Sequence, residues 1–83
     1  MIGQLMFERY GKKLTLDVDV EEGVLTYFLH ESGNRVSIKN HIPDIPLPTF
    51  YMDYNANRDV IQAIKSKLEN NGCRILVTVT LKR

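Results

Sequence analysis

From Leu14 to Glu21 the sequence LTLDVDVE alternates apolar and polar residues without a break. In an extended chain this sets Leu14, Leu16, Val18 and Val20 on one face and Thr15, Asp17, Asp19 and Glu21 on the other, the signature of a half-buried strand. Glu22-Gly23 follows, and VLTYFLH then reads as a second strand returning through a tight turn in which Gly23 supplies positive φ. Ser32-Gly33-Asn34 marks another turn, and RVSIKN alternates again with Val36 and Ile38 on one face. Ahead of this meander, IGQLMFERY carries Leu5 and Phe7 in alternation and predicts one more strand, closed by a turn at Gly11-Lys12. A two-residue loop at Glu22-Gly23 pairs Val20 with Leu25, Val18 with Tyr27 and Leu16 with Leu29. A two-residue loop at Gly33-Asn34 likewise pairs Leu29 with Ile38. This register keeps the apolar residues on one face, whereas a slip by one residue scatters them.

The pattern changes at Pro43. Pro43, Pro46 and Pro48 fall within six residues, which forbids a helix or a central strand and predicts a rigid connector. TFYMDY alternates, with Phe50, Met52 and Tyr54 on one side, so a short strand is expected there. Asn57 suits an N-cap and Asp59 the positive end of a helix dipole. Val60, Ile61, Ile64 and Leu68 then form a stripe at helical spacing from about Arg58 to Asn71, and Gly72 is the natural left-handed cap. The last segment, RILVTVTL, predicts a closing strand with Ile75, Val77, Val79 and Leu81 inward. The fold class that follows is α+β: a single antiparallel sheet, an N-terminal meander of three to four strands, one helix laid on one face, and a C-terminal strand. The helix is expected to cover the Leu16, Val18, Leu29 and Ile38 side.

Composition narrows the class further. The chain has 83 residues, 43% hydrophobic and 25% charged, which is ordinary for one small globular domain spanning 1–83. Eleven Lys and Arg against ten Asp and Glu leave a formal charge of +1, which argues against a dedicated nucleic-acid or membrane-surface protein. No apolar run reaches the ~18 to 20 residues that cross a bilayer, and no secretory leader is recognisable. The single Cys73 cannot form an internal disulfide, so a reducing, cytoplasmic setting is expected.

Little in the chain suggests catalysis. Asp17, Asp19 and Glu21 form a carboxylate row at ~6.8 Å spacing, a pattern open to a hard cation but lacking the glycine-containing turn of a calcium loop. His30, His41 and Cys73 are the only residues from which a Cys/His nucleophile pair or a zinc site could draw, and they are too few and too scattered. No glycine-rich phosphate loop is present. A substrate-converting enzyme is therefore not expected, nor is a metal or other cofactor. A basic group, Lys12, Lys13, Arg58, Lys65, Lys67, Lys82 and Arg83, would suit phosphate if folding gathered it, with stacking from Tyr51 or Tyr54.

The most informative surface candidate is PDIPLPTFYMDYN. Ile45, Leu47, Phe50, Tyr51 and Tyr54 are residue types suited to a partner interface, on a segment whose ordering entropy the prolines lower in advance. The same residues would equally complete a small core. Asn57 to Lys82, reading NRDVIQAIKSKLENNGCRILVTVTLK, resembles the closing helix and strand of the immunity proteins that inhibit tRNA-cleaving colicins. The likeness spans under a third of the chain and transfers no functional residue. It implies an inhibitor of another protein. The function expected is thus a small cytoplasmic accessory protein, of bacterial or phage type, that binds another protein as inhibitor, immunity protein or adaptor. The alternatives are a nucleic-acid-binding module and, third, a metal-assisted hydrolase on the Asp17 row. A homodimer is also expected, pairing by a free sheet edge or through Phe50, Tyr51 and Tyr54.

Overall fold

The computed structural model describes residues 1–31, 34–38 and 41–82. The turn expected at Ser32-Gly33, the outward Lys39 and the basic Arg83 lie outside them. Strands β1 (Gly3–Arg9), β2 (Lys12–Glu21), β3 (Val24–Glu31) and β4 (Asn34–Ile38) form the meander, and β7 (Arg74–Thr80) returns to pair with β1. The resulting antiparallel sheet has the order β4-β3-β2-β1-β7. Helix α1 (Asn57–Asn70) packs on one face, so the domain is α+β as the patterning requires.

The β2–β3 register is the expected one, with Leu16 opposite Leu29, Val18 opposite Tyr27 and Val20 opposite Leu25. Its turn holds Glu22 at φ 52° and Gly23 at φ 79°, the doubly left-handed geometry whose twist matches that of flanking strands. One other turn and one register differ from expectation. Arg9 pairs with Lys12, so the β1–β2 turn is Tyr10-Gly11 rather than Gly11-Lys12, and Tyr10 accepts φ 52°. Glu31 pairs with Asn34, which sets Leu29 opposite Val36 and Tyr27 opposite Ile38. The shift from the expected Leu29–Ile38 pair is an even number of residues, so the faces are preserved and the hydrophobic pattern could not distinguish the two registers.

The core face is filled from two sides. Val60, Ile61, Ile64 and Leu68 on α1 are fully buried, as are Leu5 and Phe7 of β1 and Leu16 and Val18 of β2. The helix lies on the face that carries Leu16, Val18, Leu29 and Ile38, as expected, and along that face it packs on β1, β7 and the short strand β6 (Ile45–Pro46). β6 pairs with β5 (His41–Ile42) in a small hairpin turned by Pro43-Asp44, with Asp44 at φ 69°. Ile42, Ile45 and Leu47 from this segment are buried in the same cluster, so the proline connector covers the part of the sheet that a helix of 14 residues leaves open.

Helix α1 ends in a Schellman arrangement: the Gly72 N–H donates to Glu69 O, the Cys73 N–H donates to Leu68 O, and Gly72 takes φ 85°. Both Leu68 and Cys73 are buried, which supplies the hydrophobic contact of that motif. Gly3 has a different use. A Cβ there would stand 2.7 Å from Ile61 Cγ1 and 2.8 Å from Val79 O, so the absent side chain is what lets α1 approach the β1–β7 pair.

The closing strand departs most from its pattern. Met6 faces Val77 but Phe7 faces Ile75, so Leu76 is an extra residue in a β-bulge. The bulge reverses the alternation beyond it. Ile75 packs against the core, whereas Val77, Val79 and Leu81 are 45%, 37% and 39% exposed instead of inward.

Candidate partner-binding surface

TFYMDY is not a strand. Phe50 makes one antiparallel bridge to Val24, and Tyr51–Asp53 then turn as a 3₁₀ segment. Residues three apart share a side in that geometry, so Tyr51 and Tyr54 pack against the core while Phe50 and Met52 point away. The alternation in the sequence concealed a period of three.

The backbone of this segment is held on both sides. The Leu25 N–H donates to Thr49 O and the Tyr51 N–H to Gly23 O, both at 2.9 Å, which extends the edge of β3 beyond the reach of β4. The Tyr51 hydroxyl donates to Asn57 Oδ1 at 2.6 Å, and Asn57 Nδ2 donates to the carbonyl of Leu81 at 2.9 Å. Asn57 therefore is not the helix cap its residue type suggested. Ala56 takes the cap position, accepting from the Asp59 and Val60 amides, and the Asn57 side chain is buried as a bridge. On the other side Tyr27 donates its hydroxyl to Pro48 O at 2.6 Å, and burial, aided by Tyr54, raises its pKa.

Of the five residues singled out for a partner, Ile45 and Leu47 are corrected to core positions, at 1% and 5% exposure, where they have no surface to offer. Tyr51 and Tyr54 are half-buried supports. Phe50 is 51% exposed, and beside it stand Met52 at 74%, within the candidate segment but not among the five, and Val24 at 44%, which the sequence reading did not place in an interface. The Met52 methyl reaches the β2–β3 turn, 3.5 Å from where a Cβ on Gly23 would be. Val24, Phe50 and Met52 thus form one apolar cluster at the end of the hairpin. Exposed Glu21, Glu22 and Asp53 rim it, and a neighbouring open hollow of about 440 Å³ includes Asp19 and Glu21 in its lining.

The other candidate groups are dispersed. Asp17 is buried on the outer face of the sheet, accepting from Gln4 Nε2 at 2.8 Å and lying 2.7 Å from His30 Nε2 through its second oxygen, while Asp19 faces the Met1 amino group at 3.3 Å. The carboxylate row is therefore divided among different partners, and among the described residues no group of three or more His, Cys, Asp or Glu is arranged to hold a metal ion. Cys73 is buried on the core side, away from His30; burial pushes its thiol pKa up against a smaller opposing pull from Arg9. Arg58 and Lys82 share a cleft of about 320 Å³ near the start of α1, but Lys12 and Lys13 open β2 at the opposite end of β1. Among the described residues the basic group does not converge. Among the described residues no helix is long and apolar enough to cross a membrane.

Comparison of the chain with known protein families, with curated proteins and with solved structures returns no match.

Proposed function

We propose that this protein works by binding another protein through the Val24, Phe50 and Met52 cluster, in the manner of an inhibitor, immunity protein or adaptor. The observation that carries the reading is the exposure of Val24, Phe50 and Met52 at one end of the hairpin, on a backbone held by the Leu25 N–H to Thr49 O and Tyr51 N–H to Gly23 O bonds and anchored by the Tyr51 hydroxyl donating to Asn57. Exposed apolar surface costs solubility, and contiguous patches of it mark interaction sites. A pre-ordered segment also loses less entropy on association than a mobile one. Glu21, Glu22 and Asp53 around the cluster favour a partner that presents an apolar side chain flanked by Lys or Arg. A cytoplasmic setting is the one that suits a lone, buried, free thiol.

The test compares capture by the native chain and by Phe50→Asp/Met52→Asp from an extract of the native host, at equal folded concentration. A protein retained by the native chain and lost from the variant supports the reading. Equal retention by both overturns it.

A further inference from the structure

The sheet ends in two edge strands, the five-residue β4 and the seven-residue β7, and β7 is the longer. β7 is hydrogen-bonded to β1 and to no other strand among the described residues. The opposite margin is closed in part, since Thr49 and Tyr51 bond to the β3 edge at Leu25 and Gly23. Among the described residues no such backbone bond reaches the outer edge of β7. It runs for seven residues without proline, and Leu76, Val77 and Val79 along it are each more than a third exposed. Its single charge, Arg74, is matched within the chain by Glu8 at 3.7 Å.

The direction of its amides is fixed by one bond. The Leu81 N–H donates to Ile2 O, and in an antiparallel ladder successive residues point their backbone groups to opposite sides. Thr80 and Thr78 therefore present their N–H and C=O groups away from β1. Natural proteins guard such an edge with proline, charge or a partner, and β7 has no proline and a single charged residue, Arg74, at its start.

We infer that β7 is a dimerisation edge, on which a second copy of this chain adds its own β7 antiparallel about a two-fold axis to make one continuous ten-stranded sheet. Three features favour a second copy as the occupant. Eleven basic against ten acidic residues leave the copies almost neutral, so they do not repel at long range. The Arg74–Glu8 pair offsets, within the chain, the one charge that the strand itself would bring to the contact. A two-fold antiparallel pairing also places Val77 and Val79 of both copies on the same outer face, beside the half-exposed Met6 on each β1, so the apolar stripe at the margin of one sheet becomes the middle of a larger one. The strand is ~24 Å long, and the strip it covers is small beside the ~800 Å² per partner of a standard interface. The dimer is accordingly concentration-dependent.

Sedimentation equilibrium of the full chain from about ten to several hundred micromolar tests this. The expected result is a mass rising from 9.6 kDa toward twice that value. Amide exchange at Thr78 and Thr80 should slow at least tenfold over the same range. Val77→Lys/Val79→Lys should remain folded and monomeric, because both side chains are on the open face, while Phe50→Asp/Met52→Asp should dimerise like the native chain. A mass of 9.6 kDa at every concentration overturns the inference, as does a dimer that the valine variant retains and the Phe50/Met52 variant loses. That last outcome would leave the partner-binding cluster intact as a surface while removing β7 from any role.

Discussion

The Tyr51 hydroxyl and the Asn57 side-chain carbonyl are 2.6 Å apart, and through this one hydrogen bond the exposed 3₁₀ turn is tied to the first residue of the only helix among the described residues. Asn57 passes the connection on to Leu81, just beyond β7. Tyr51→Phe should cost about 1 kcal/mol, while Asn57→Ala, which removes both the acceptor of the Tyr51 hydroxyl and the donor to the Leu81 carbonyl, should cost about 2 kcal/mol. Urea unfolding of the two variants checks the order. Equal and negligible losses would show that the bridge contributes nothing to holding Phe50 and Met52 in place.

Gly3 is tested by adding one methyl group. Its Cβ would meet Ile61 and the Val79 carbonyl, and since the latter is backbone, relief requires α1 or β7 to move. Gly3→Ala should destabilise the chain by about 1 to 3 kcal/mol, and Gly3→Ala/Ile61→Val should recover part of that loss. Thermal melts of the single and double variants read the coupling; strictly additive losses would mean that the helix does not approach β1 as closely as described.

Tyr27 makes stability sensitive to alkali. Its folded-state pKa lies above the ordinary value of 10.0, first because the ring is buried and second because Tyr54 is near. The unfolded chain therefore releases this proton at a lower pH than the native one. Stability from this group is complete below about pH 10 and falls as pH rises above it. Tyr27→Phe should cost about 1 kcal/mol at neutral pH, through the lost bond to Pro48 O, and should have a shallower decline above pH 10 than the native chain. Parallel declines in the two proteins would contradict the assignment.

Strand placement was legible because alternation over β2 and β3 admits one register consistent with a single apolar face, and the helix because Val60, Ile61, Ile64 and Leu68 mark one side of it. The misreadings have physical causes of their own. An even shift between β3 and β4 changes no side chain's face, so Leu29 could meet Val36 or Ile38 without disturbing the pattern. The bulge at Leu76 exists only in relation to β1, and an isolated RILVTVTL cannot reveal that Val77 and Val79 turn outward. In the candidate site, Phe50 was visible as an exposed aromatic candidate, but Val24 joins it only through a long-range bridge and Met52 only through a turn of period three. Asn57 shows the limit most plainly: its residue type advertises a cap, and tertiary contacts with Tyr51 and Leu81 give it another task.

Asp17 supplies a control on the function. Its carboxylate is buried on the outer face between Gln4 and His30, remote in the sequence from both the 3₁₀ turn and the helix. Asp17→Ala should lower stability by about 2 kcal/mol, because two donors lose their acceptor, yet leave partner capture unchanged at a temperature where the variant is folded. Loss of capture with the fold intact would move the binding surface to the open face of the sheet.

The central claim is that Met52 and its neighbours meet a partner, and the most direct measurement is site-specific photo-crosslinking in the native host. A photoreactive side chain at position 52, exposed by 74% in the free chain, is compared with one at position 10, where Tyr10 is exposed by 86% at the opposite end of β2. The account predicts a discrete adduct from position 52, absent from position 10 and abolished by Phe50→Asp. Adducts of equal yield from both positions, or from position 10 alone, would contradict it.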